Sequence, residues 1–233
     1  MKTHKPAPAL LLFLAGALTL ALPVILSGCR NSGDTNFTDH STVNDAGVVS
    51  IQKMGGDIDV NDAPHGADLS TMGGNIHLSN AGGPAKVKTM GGSITVHRAS
   101  ASVDASTMGG SIVVDGAGGA VKATTMAGDI TARLVGSSTG ERDVELSSNA
   151  GTILLTVPRD FPMEVQITLA YTRNSNRSYR IVDGIGLSQR TSDDWDSSQG
   201  TPRKYIRAEG RVGSGLNHVV IKTINGDVIL KQE

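Results

Sequence analysis

Five methionines fall at one fixed interval along the chain. Met54, Met72, Met90, Met108 and Met126 stand 18 residues apart, each before a Gly-Gly or Ala-Gly pair. Ile58, Ile76, Ile94, Ile112 and Ile130 keep the same interval. A strict period of this length marks stacked units, none of which can bury its apolar face alone. With each Met as position 1, positions 5 and 7 are apolar, as in Ile76 and Leu78 or Ile94 and Val96. Positions 14 and 16 are apolar too, as in Leu69 after Ala67 and Val87 after Ala85. Apolar residues two apart with polar ones between mean a strand with one buried face. Each unit therefore holds two short strands, around positions 3–8 and 14–18. The glycine pair turns one corner, because glycine accepts backbone angles that other residues avoid. An Ala-Gly-Gly or Pro stretch at positions 10–13 turns the other.

Eighteen residues at ~3.3 Å each cover a perimeter of roughly 60 Å, one turn of a flat coil. The expected fold is all-β: a single-stranded parallel β-solenoid, a right-handed β-helix of about 18 residues per turn, the hand following the rule for parallel crossovers. A left-handed coil of hexapeptides would need an aliphatic every six residues, and Pro64 stands six after Ile58. The pattern breaks at 136–143, returns at 144–157, and closes with a last copy at 219–230. Residues 163–171 alternate as one long strand, and 204–213 resume the pattern. Residues 172–203 lose all period and read as a long loop. The solenoid domain is expected over 48–233.

The first 28 residues are a different kind of sequence. Lys2 and Lys5 precede an almost wholly apolar run at 7–26, and Leu26-Ser27-Gly28-Cys29 follows. A charged start, an apolar core and a small-residue cleavage site make a secretory signal, and the last four residues resemble the lipobox of bacterial lipoproteins. That resemblance implies that residues 1–28 are removed and that Cys29, the one cysteine in the chain, is lipidated with palmitate-type chains. The rival reading is a transmembrane anchor, since the run is nearly long enough to span. Residues 29–47, polar and without period, read as the lipidated cysteine and a flexible tether. Losing Lys2 and Lys5 moves the formal charge from −1 to −3. A net charge this close to neutral argues against nucleic acid as a partner, which would call for a strongly basic face. With three Phe, three Tyr and one Trp, the core must be built from small and β-branched residues.

A corner glycine followed by an alternating strand, ending in TINGDVIL at 223–230, resembles the β-strand-repeat adhesin family of bacterial envelope proteins. The resemblance covers about 49–230. It implies a non-catalytic envelope protein held to a membrane by its lipid, and it brings no catalytic residues. Arg30 follows the cysteine; by resemblance to enteric lipoproteins, in which an Asp there implies retention at the inner membrane, the outer membrane is the expected site if the cell has two.

Position 15 reads Asp68, Lys86, Asp104, Lys122 and Glu145. Stacked turns would make these a ladder of alternating charge on the outer face. Such a ladder fixes register, since a slipped turn juxtaposes like charges; an ionic strip for charged polysaccharide is the alternative. The Met column either fills the corner of a core poor in aromatics or presents thioethers to soft Cu(I); the filling role is preferred, so no metal and no cofactor is expected. Thr71, Thr89, Thr107 and Thr125, just before each corner, can bond to turn backbone. His77 and Asp59 share position 6 on adjacent turns and can pair. In the expected loop, Arg173, Arg177, Tyr179, Arg180 and Trp195 form a possible interaction site, for long loops are often functional and Trp is enriched at contact hot spots. Alternatively Trp195 covers an open end of the coil. The function expected is a lipid-anchored scaffold or adhesin for surface or protein–protein contact, self-associating through bare solenoid ends or meeting another envelope protein. The alternatives are an assembly or stress-related factor with a membrane partner, and a β-helix that binds or cleaves polysaccharide.

Overall fold

The computed structural model describes residues 40–44, 46–136, 142–175, 177–198 and 200–233. Cys29 and the lipobox lie outside the described residues, as do 137–141 within the insertion. The described chain is all-β and without helix.

The alternating segments form two sets of strands. One set is β2 (Val49–Lys53), β4 (Ala67–Thr71), β6 (Ala85–Thr89), β8 (Val103–Thr107), β10 (Val121–Thr125) and β12 (Val144–Ser148). The other is β3 (Ile58–Val60), β5 (Ile76–Ala81), β7 (Ile94–Ala99), β9 (Ile112–Ala117), β11 (Ile130–Leu134) and β13 (Ile153–Val157). Each set pairs in parallel and in register, so like residues stack on like. The isoleucines Ile58, Ile76, Ile94, Ile112, Ile130 and Ile153 form one buried column, and Leu69, Val87, Ala105, Ala123 and Leu146 form a column in the facing sheet. This is the β-solenoid arrangement. One column differs from the sequence count. The pairing of β9 and β11 shifts between Arg133 and Leu134, so Leu134 rather than Val135 lies opposite Ala117. Gly116, at φ 98°, absorbs the extra residue as a bulge.

The corner glycines are required for closeness more than for backbone angle. A Cβ at Gly92 would lie 2.7 Å from the amide of Asn75, and nearer still to the carbonyl of Gly74 in the adjacent turn. Gly74, Gly110, Gly128, Gly151 and Gly226 are hemmed in the same way. The glycine before it is free: a Cβ at Gly55 or Gly73 meets nothing, and the chain places Ala127 and Ala150 there. The threonine column is structural, as its position suggests. Thr89, Thr107 and Thr125 are buried, and each hydroxyl donates to the corner glycine carbonyl of the neighbouring turn at 2.8–2.9 Å.

The methionines do not fill the corner. Met54, Met72, Met90, Met108 and Met126 are 46–54% exposed. The corner is so tightly closed by glycine and threonine that it has no interior left for a long side chain.

The far end of the coil departs from a simple stack. After β13 come β14 (Met163–Thr172), β15 (Ile181–Asp183), β16 (Ser188–Thr191), β17 (Arg203–Val212), β18 (Asn217–Ile224) and β19 (Val228–Gln232). In the first sheet β18 lies between β12 and β14; in the second, β19 lies between β13 and β15. The last turn of the sequence is thus an internal turn of the fold. Beyond β14, β17 and β16 continue the sheet antiparallel. Segment 172–203 is therefore no free loop but a cap. Ile181 is buried, and Ile185 and Leu187 pack on the core. Residues 204–213 do not resume the coil either, since β17 runs against β14. At the other end β1 (His40–Val43), within the stretch expected to be tether, covers β2 in antiparallel pairing. Among the described residues the edges left open, β1, β3, β15 and β16, are three or four residues long, and short edges resist strand addition.

Candidate functional site: the cationic and aromatic cap

Alternation along β17 sends Lys204, Ile206 and Ala208 inward and Tyr205, Arg207, Glu209 and Arg211 outward. The outward residues of β14 and β16 lie beside them, with Gln166 opposite Glu209 and Arg190 directly opposite Arg207. Together they line a depression of about 680 Å³ with Glu164, Ser188 and Ser192. Like charges directly opposite on paired strands are destabilising. Among the described residues, neither Arg190 nor Arg207 reaches a carboxylate within 4.0 Å. Arg207 instead lies 5.2 Å from the centre of the Tyr205 ring. The Tyr205 hydroxyl donates to Asp196, whose carboxyl is held below its ordinary range by hydrogen bonds from Ser198 first and from Tyr205 after.

A second concavity of about 490 Å³ lies where the chain leaves β14. It is lined by Tyr171, Arg173, Arg177, Tyr179, Trp195 and Ile206, among others. Trp195 stands edge-on to Tyr171 at 5.8 Å, and the cations of Arg173 and Lys204 lie 5.4 and 5.5 Å from its ring centre. Trp195 is half-buried, so it both covers the end of the coil and keeps a face toward solvent. Of the residues singled out in the sequence, Arg173, Arg177, Tyr179 and Trp195 meet here. Arg180 does not: its backbone amide donates to Asp227 at 2.9 Å, while the Arg177 guanidinium lies 3.5 Å from the same carboxylate.

The charge ladder is in register. Asp68 faces Lys86, Lys86 faces Asp104, Asp104 faces Lys122 and Lys122 faces Glu145. Its next rung is Val220, which ends it. Lys122 and Glu145 close to 2.8 Å, both about half exposed, and the Glu145 hydrogen bond raises the Lys122 pKa.

The carboxylates at position 4 are in use. Asp57 accepts the Asn75 amide, Asp129 that of Thr152 and Asp227 that of Arg180, at 2.7–2.9 Å. Asn75, Ser93 and Ser111 continue this polar ladder between them. His77 meets Ser79 Oγ at 3.3 Å and the ring of His97 at 4.9 Å instead of pairing with Asp59. Among the described residues no group of His, Cys, Asp and Glu could hold a metal, and no helix is long and apolar enough to cross a membrane.

The pair Arg190 and Arg207 escaped the sequence reading because it depends on an antiparallel register between two segments. One signal was present: Arg203, Arg207 and Arg211 recur every four residues, which on a strand puts all three on one face. No protein-family model, curated protein or solved structure matches this chain.

Proposed function

We propose that this protein is a non-catalytic, lipid-anchored component of the bacterial cell envelope: a right-handed β-solenoid of 18 residues per turn that presents its cap to an anionic partner surface. The observation that carries the reading is the unneutralised Arg190–Arg207 pair in a concave, polar setting. An anionic group seated between the two guanidiniums would relieve their repulsion, and Arg is suited to bidentate recognition of carboxylate and phosphate. Arg173 extends the cationic surface around the corner to Trp195, while Arg177 beside it is paired with Asp227. Anchoring rests on Cys29 and the lipobox before it, the outer membrane being the expected site. The absence of catalysis is supported by the position 4 aspartates, whose oxygens are engaged by backbone amides and are not poised as an acid–base pair.

Retention on dextran sulfate and on neutral dextran tests the surface. The wild-type chain should be held by the sulfated matrix alone and released by moderate salt. Arg190→Gln with Arg207→Gln should pass through. Equal retention of the two proteins would overturn the assignment to this pair. Cys29→Ser should move the protein from the membrane to the soluble fraction of the cell envelope; unchanged membrane association would remove the lipid anchor from the reading.

A further inference from the structure

The exposed methionine column has no role in building the fold. In the sixth turn Asn149 takes the corner position and in the last turn Ile224 does. Both corners still close in the same way, with Ser148 donating to Gly128 and Thr223 to Gly151. Yet five consecutive turns carry Met there, although their position 15 changes among Asp, Lys and Glu and their position 7 among Val, Leu and Ala.

The geometry stacks the backbones that carry these side chains. The Gly91 amide donates to the Met72 carbonyl and the Ala127 amide to that of Met108, each at 3.1 Å, so corner residues of adjacent turns sit over one another at the ~4.8 Å spacing of paired strands. From Met72 to Met126 each methionine is flanked in the chain by a small residue on one side and by a buried threonine on the other, while Lys53 precedes Met54. The ridge is therefore one side chain wide, with open space beside it at Gly55 and Gly73. A ridge so narrow offers little apolar area to a protein partner, and the valine, leucine or isoleucine used throughout the core would serve that end equally well. What Met alone adds is a soft, neutral sulfur donor on a flexible stem.

We propose that the corner methionines form a linear thioether site for a soft monovalent metal ion, Cu(I), which lies between the sulfurs of adjacent turns. Thioethers select Cu(I) over the harder divalent ions. Flexible stems from neighbouring rungs let two sulfurs, or three, converge on one ion. The proposal is independent of the cap and of the envelope assignment.

The test uses the full chain with Cys29→Ser, which removes the single competing thiol, under anaerobic conditions with Cu(I) supplied as its acetonitrile complex. Uptake is read by competition with a chromophoric Cu(I) chelator, and the site by ¹³C-methyl methionine NMR. The corner methyl signals should shift on titration while that of Met163, buried in the core, stays in place. Met72→Leu with Met90→Leu and Met108→Leu should abolish most of the uptake and leave the metal-free melting temperature unchanged. His77→Gln with His97→Gln should keep it. Failure to take Cu(I) from the chelator, unchanged uptake in the leucine variant, or loss in the histidine variant would each overturn the proposal.

Discussion

Gly91 and Gly92 are neighbours in one corner, and the structure assigns them opposite tolerances. A Cβ at Gly91 makes ordinary contact, 3.7 Å from the Met72 carbonyl oxygen. A Cβ at Gly92 collides with the Gly74 carbonyl and the Asn75 amide, which are backbone and cannot swing aside. Relief requires the two turns to part, and that loosens two hydrogen bonds between them: Thr89 to the Gly74 carbonyl at 2.8 Å and the Ser93 amide to the Asn75 side chain at 2.9 Å. Overpacking of this kind costs about 1–3 kcal/mol, and each lost hydrogen bond adds about 1 kcal/mol. Gly92→Ala should therefore destabilise by roughly 3–5 kcal/mol, which in a domain of this size lowers Tm by roughly 6–20 °C. Gly91→Ala should be neutral or stabilise by up to about 1 kcal/mol, through reduced entropy of the unfolded chain. Thermal unfolding followed by circular dichroism compares the two directly. Variants that melt within a degree of each other, or a Gly91→Ala that melts lower than Gly92→Ala, would refute the argument that turn-to-turn approach, not backbone angle, selects the second glycine.

Two further outcomes follow from the ladder and from the cap. Lys86 stands between Asp68 and Asp104, so Lys86→Asp stacks three carboxylates and should lower Tm more than Lys86→Gln; equal losses would show that the ladder does not discriminate register. Burial alone would raise the Asp183 carboxyl, but hydrogen bonds from the Leu187 amide, the Gln189 side chain and the Gly186 and Ile185 amides outweigh it and hold it below its ordinary 3.8. A depressed pKa contributes stability above the unfolded value and loses it as pH falls through the folded one. Exchange protection of the Gly186 and Leu187 amides should thus persist from neutrality down to about pH 4 and fade below it, and Asp183→Asn should weaken it already at pH 7.

The body of the coil was legible because period and chemistry agree there. Ile94 stacks on Ile76 and Ile112 because a parallel register places equal positions together, and a period counted in the sequence is that register. Burial at the corner was not legible. Met reads as apolar in any pattern, and only the closeness of Gly74 to Gly92 shows that no interior remains for it. The cap was misread for a different reason. β15 and β16, of three and four residues, are too short to show alternation, and of the two antiparallel partners of β17, both earlier in sequence, β14 is separated from it by the whole cap segment. The cationic pair is a product of that pairing, so no local motif announces it.

The place of the last turn makes a prediction that a simple coil would not. In a stack of repeats each unit touches only its neighbours, so removing a terminal unit costs one interface. Here β18 and β19 are last in sequence but bridge β12 to β14 and β13 to β15. Residue Asn217 ties them further: buried, it donates to the Pro162 carbonyl at 2.6 Å and accepts the Arg142 amide at 2.6 Å, joining the insertion, the entry to β14 and the final turn. Deleting residues 217–233 therefore takes a rung from the interior of both sheets. Hydrogen exchange should show β4 to β11 still protected, while β14, β15 and β17 exchange like an unfolded segment. If β14 and β17 stayed protected in the truncated chain, the cap would have closed directly onto β12, and the inserted turn would be dispensable instead of the element that holds the cap in place.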